Sequence, residues 1–147
     1  MSDHRAEQIV ATVKTKLTGL ATTGSNVFRG RGNAIAEANL PAISLYLGDD
    51  KITGQYTQAK IDGELTINVE AVVKTSASQV DTVLNQIRKE IAVALHADYT
   101  QGLSFVMDTV EGDASAPEIS GEGEKPAAAM KLEWKFNYRR SRSDPSA

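Results

Sequence analysis

The sequence predicts an α+β domain, a mixed and mostly antiparallel sheet of four to five strands with two amphipathic helices on one face. Three observations predict it. Two stretches repeat apolar residues every three or four positions, several others alternate apolar and polar residues at every second position, and no internal repeat is present.

The first helical stripe is Ala6, Ile9, Val10, Val13, Leu17 and Leu20, with Glu7, Lys14 and Lys16 on other faces. Ser2 or Asp3 suits its N-cap and Gly19 its end. A polar linker over residues 21–26 leads to Val27 and Phe28, a short extended edge piece broken by Gly30 and Gly32. Pro41 then opens a strand in which Ile43, Leu45 and Leu47 alternate with Ala42, Ser44 and Tyr46, and Gly48-Asp49-Asp50 supplies a turn.

After a polar stretch from Lys51 to Asp62, Leu65, Ile67, Val69, Ala71 and Val73 alternate cleanly, as expected of a central strand. Val80, Val83, Leu84, Ile87, Ile91, Ala94 and Leu95 mark a second helix over about 78–97, with Ser78 and Asp81 as a capping pair. Leu103, Phe105 and Met107 read as a further strand. Residues 111–126 are rich in Gly, Glu, Ser and Pro and predict a mobile loop. The last strand carries Met130, Leu132, Trp134, Phe136 and Tyr138 on one face, and residues 139–147, lacking an apolar anchor, predict a loose basic tail.

A length of 147 residues fits one domain spanning 1–147. A net charge of −3 and a pI near 5.4 give no global cationic field for binding phosphates. Without cysteine there is neither a disulfide framework nor a thiolate metal site. With no stretch long and apolar enough for a signal peptide or a bilayer span, the expectation is a soluble, cytoplasmic chain.

Catalytic sets are not evident. His4 and His96 sit at helix ends, where each has a structural explanation, and no Gly-x-Ser-x-Gly elbow occurs. Asp49 and Asp50 read as an exposed turn rather than a metal pair, and Gly30-Arg31-Gly32 lacks the third glycine of a dinucleotide loop. Catalytic, metal and cofactor residues are therefore expected to be none. Arg29 and Arg31 on the glycine-bearing loop suit bidentate pairing with a carboxylate of a partner or neighbouring subunit. Arg139, Arg140 and Arg142 are candidates for charge contact with DNA or a lumen.

Val27-Phe28-x-Gly30-Arg31, Glu37-Ala38-x-Leu40-Pro41-Ala42-Ile43-x-Leu45-Tyr46-Leu47 and Glu64-Leu65-Thr66-Ile67-Asn68-Val69-Glu70, with Arg5-Ala6 in the first helix, resemble the tail terminator family of long-tailed bacteriophages, which caps the lambda tail tube. Arg29 stands where the family member compared has an acid, and the 111–126 stretch is longer or differently built. The resemblance implies a ring of six subunits that binds the last ring of tail-tube protein, stops polymerisation and presents a surface to the head connector. It implies a virion tail location after assembly in the host cytoplasm, no cofactor, no membrane and only passive contact with DNA. The competing readings are a head–tail joining (neck) protein, a small enzyme without a recognised motif, and a DNA-binding module using the arginine tail.

Overall fold

The computed structural model of the protein describes residues 3–30, 39–56, 59–120 and 126–147. Helix α1 spans Arg5–Leu17 and is capped by His4, whose Nδ1 accepts a hydrogen bond from the Ala6 amide at 3.0 Å. A neutral imidazole nitrogen supplies the acceptor expected of Asp3, so the cap lies one residue later; Ser2 is outside the described residues. After the helix the chain reverses at Gly19, whose φ of +96° suits glycine and whose amide bonds to the Gly24 carbonyl at 2.8 Å.

The strands are β1 (Val27–Arg29), β2 (Ala42–Tyr56), β3 (Lys60–Lys74), β4 (Val106–Ala114), β5 (Glu118–Ser120) and β6 (Ala127–Ser141). A 3-10 turn at Ala77–Gln79 leads into helix α2, Val80–His96. The sheet order is β1-β2-β3-β6-β4, with β5 also paired to β6. Among the described residues β1 pairs with β2 in parallel and the other pairings are antiparallel. The α+β class and mixed, mostly antiparallel sheet are as the sequence predicts, with six strands among the described residues rather than four or five.

Several further local expectations differ from the structure. The polar stretch 51–62 is mostly strand, because β2 and β3 form a long hairpin whose distal part has solvent on its side chains and so shows no apolar period. The segment expected to be a mobile loop, 111–126, carries the end of β4 and all of β5; backbone pairing to β6 holds them although their side chains are mostly exposed, and residues 121–125 lie outside the described residues. In β4 the buried residues are Val106 and Thr109, not Met107, because a bulge between Val106 and Asp108 resets the alternation. Ser78 and Asp81 make no capping hydrogen bond to α2, which instead grows out of the 3-10 turn.

One hydrophobic cluster joins the helix stripes to the sheet. Ile9, Val13 and Leu17 of α1 and Leu84, Ile87, Ile91 and Leu95 of α2 are fully buried against Leu65, Ile67 and Val69 of β3 and Trp134 and Phe136 of β6. Each such side chain contributes about 1.5–3 kcal/mol relative to exposure. Trp134 faces Ile67 and Phe136 faces Leu65 across the β3–β6 ladder, so the two strongest alternating segments in the sequence are direct neighbours. Their intervening residues, among them Glu64, Asn68, Lys131, Glu133 and Lys135, lie on the opposite face of the sheet.

Candidate assembly interface

Arg29 ends β1, beside the first turn of α1. Its guanidinium meets Glu7 in a two-pronged pair, Nη2 to Oε1 at 2.9 Å and Nη1 to Oε2 at 2.5 Å, with both side chains roughly two-fifths exposed. The hydrogen bonds from Arg29 outweigh partial desolvation and hold the Glu7 carboxyl below its ordinary value; the same pair raises Arg29. The carboxylate that Arg29 was expected to find on a neighbour is therefore supplied by its own chain. Arg31 lies outside the described residues.

The arginines at the C-terminus are not on a loose tail. β6 runs through Arg139 and Arg140 to Ser141, opposite Lys60–Asp62 of β3. Backbone pairing anchors this segment despite its polar composition, which is why the absence of apolar residues misleads. Arg139 clasps Asp62 with Nε to Oδ1 at 2.7 Å and Nη2 to Oδ2 at 3.1 Å, and its guanidinium lies 5.3 Å from the centre of the Tyr56 ring. Tyr56 also donates its hydroxyl to Asp62 Oδ2 at 3.0 Å. Arg139 holds the Asp62 carboxyl below its ordinary value, against the opposing effect of burial, with Tyr56 assisting.

Arg140 donates to the Ser141 carbonyl at 3.1 Å, and the Arg142 amide donates to the Ala59 carbonyl at 2.8 Å. The last turn folds back on α1, where the Arg5 amide reaches the Pro145 carbonyl at 2.9 Å. Arg5 is further fixed by a 2.7 Å bond to the Arg139 carbonyl and by its guanidinium 4.4 Å from the Phe105 ring centre. The start of α1 and the C-terminal turn thus meet beside the start of β4.

The histidines have structural settings. His4 caps α1, and His96, in the last turn of α2, places Nε2 3.2 Å from Glu111 and its ring 5.0 Å from that of Trp134. Asp49 and Asp50 lie within β2 rather than in a turn, and Asp50 accepts from the Tyr138 hydroxyl at 2.7 Å. Among the described residues no group of three or more His, Asp or Glu is placed to hold a metal ion.

The open face of the sheet holds a shallow polar depression lined by Lys51, Glu64, Asn68, Lys131, Glu133 and Lys135. Its charges are interleaved, with Lys135 3.8 Å from Glu64 and Lys131 3.9 Å from Glu133. Such a surface offers polar contacts to another protein; it concentrates no single charge and aligns no nucleophile with a base. Sequence alternation put Glu64 and Asn68, and Lys131, Glu133 and Lys135, on the polar sides of their own strands and left Lys51 in a stretch without a period; which strands stand side by side, and so which charges meet, came only with the β3–β6 register.

No curated protein matches the chain. Among solved structures it is similar to a chain in one titled virion of native gene transfer agent (GTA) particle, with a TM-score of 0.53 and 12% identity over 88% of this chain and 93% of that one. At that identity the likeness shows a shared fold. Residues 4–138 match the family described as phage minor tail protein U, and the chain belongs to that family of phage tail proteins.

Proposed function

We propose that the protein is a tail terminator, a single domain of residues 1–147 that forms a ring on the end of the tail tube, stops tube polymerisation and offers the surface for head attachment. Its partners would be copies of itself in a ring of six, the tail-tube protein below and the head connector above, in a virion tail assembled in the host cytoplasm. The observation that carries the reading is the family match over residues 4–138, joined to the terminator-like residue pattern at 27–47 and 64–70. The fold shared with a chain of a virion particle supports it. So does the division of the sheet into a face packed by helices and a face left to charged side chains, which suits contacts between subunits. The reading requires neither a cofactor nor a bond-making step.

Electron microscopy of tails made when this gene alone is deleted tests it. Overlong tubes of scattered length are expected. Complete tails of uniform length beside filled heads would instead assign the protein to the neck between head and tail.

A further inference from the structure

Past Ser141 the chain leaves the β6 ladder and closes a small turn of its own. The Ser141 amide donates to the Ala147 carbonyl at 2.5 Å, the Ala147 amide to the Asp144 carbonyl at 3.0 Å, and the Ser146 amide to Asp144 Oδ1 at 3.0 Å. Residues 142–144 and Ala147 are exposed, Pro145 and Ser146 are half-buried, and none of them joins the hydrophobic core. Hydrogen bonds rather than apolar burial hold this turn in place.

The turn touches two parts of the fold that are far apart in sequence. On one side the Pro145 carbonyl accepts from the Arg5 amide at 2.9 Å and the Ser146 carbonyl from Gln8 Nε2 at 3.4 Å, both at the start of α1. On the other side the Arg142 amide donates to the Ala59 carbonyl at 2.8 Å and its Nη1 to the Tyr56 carbonyl at 3.4 Å. Tyr56 and Ala59 stand at the far end of the β2–β3 hairpin, where the Ala59 amide donates to the Tyr56 carbonyl at 3.1 Å.

That end of the hairpin is strained. Ala59 has a φ of +63°, in the left-handed region that an alanine side chain disfavours. Such a backbone persists only where its surroundings fix it. The β2 side chains from Leu47 to Thr53 are exposed, and the clasp of Arg139 on Asp62 joins the strands before the turn, leaving the Ala59 carbonyl to Arg142. We propose that residues 142–147 act as a strap that fastens the far end of the hairpin to the start of α1 and holds Ala59 in its left-handed conformation. The hairpin is thereby set in direction before it meets any partner, and a surface fixed in advance loses less conformational freedom on docking. The strap rests on bonds within the chain and stands apart from the tail reading above.

Amide hydrogen exchange followed by NMR, in the whole chain and in a variant ending at Ser141, tests it. In the shortened chain the protected amides among residues 54–56 and 60–62 are expected to exchange about tenfold faster, the factor that losing one or two hydrogen bonds implies, while those from Leu65 to Val73 keep their rates. Adding Ala59→Gly to the shortened chain is expected to slow the hairpin amides again by about fivefold, since glycine takes a positive φ without a side-chain cost. Unchanged rates at the hairpin's end, an equal acceleration through the whole sheet, or no slowing by Ala59→Gly would each overturn the strap. If the chain ending at Ser141 does not fold, one ending at Asp144, which keeps Arg142 but loses the ties of Pro145 and Ser146 to α1, is read the same way.

Discussion

Tyr138 donates its phenolic hydrogen to Asp50 Oδ2 at 2.7 Å by reaching over Gly63, so one bond ties β6 to β2 across the strand that separates them. Gly63 is the register partner of Tyr138 on β3 and of Ile52 on β2. A side chain at that position would fill the space that the ring crosses. The glycine thus lets an aromatic residue at the end of the core brace the base of the protruding hairpin.

Gly63→Ala is expected to destabilise the protein by about 1–3 kcal/mol, the usual range for overpacking. The added methyl would sit 2.9 Å from Tyr138 Cε1 and 3.2 Å from Asp50 Oδ1, and the neighbouring backbone on both sides is fixed by ladder hydrogen bonds. Urea denaturation of the variant beside the wild type measures the loss. An unchanged midpoint would mean that the ring moves aside freely and that the Tyr138–Asp50 bond braces nothing.

The same bond predicts an alkaline dependence. Burial first, then the hydrogen bond and negative charge of Asp50, push the Tyr138 hydroxyl well above its ordinary value. With the folded value raised, the stabilisation is fully present below the unfolded tyrosine value, about 10, and is lost as pH rises from there toward the folded value. Wild-type stability should therefore fall above about pH 10 more steeply than that of Tyr138→Phe, which has no proton to lose at this site. Parallel declines in a denaturation series across that range would show that Tyr138 ionises as freely in the folded chain as in the unfolded one.

How much of this was readable in advance depends on what each strand faces. Leu65 to Val73 and Met130 to Tyr138 have helices on one side and charged residues on the other, so burial imprints a two-residue period on the sequence. The distal hairpin and β4–β5 lack that contrast, and two bulges in each of β2 and β4 further break the period. Their strand character rests on backbone hydrogen bonds, which any side chain permits. Among candidate site residues, Arg29 was legible as an arginine able to pair bidentately and Arg139 only as a charge on a tail, while their partners, Glu7 and Asp62, are distant in sequence and were not legible.

Arg139→Met should lower the urea midpoint at neutral pH, because it strips the Asp62 carboxylate, nearly buried as a side chain, of its two-pronged partner and removes the guanidinium from beside the Tyr56 ring while keeping a long unbranched side chain. The sign of the pH effect follows from Asp62. Its folded value is depressed, so the stability it contributes is present above the unfolded aspartate value, about 3.9, and disappears as pH falls through the folded value. The gap between wild type and Arg139→Met should therefore close in acid, and a gap of constant size from neutral to strongly acidic pH would locate the loss in packing instead.

Arg29 carries two separable consequences, because its guanidinium is held by Glu7 yet remains partly exposed. Arg29→Glu sets two carboxylates against each other between α1 and β1, and the expected cost is modest, about 0.2–1 kcal/mol for a pair this open to solvent. Exchanging the charges, Glu7→Arg with Arg29→Glu, should return the stability by restoring an ion pair of opposite order. If Arg29 also meets a neighbouring subunit or the tube, the exchanged chain will fold as well as wild type and still fail to cap tails, since the cation now projects from α1 rather than from β1. Capping that recovers together with stability would confine Arg29 to holding its own chain.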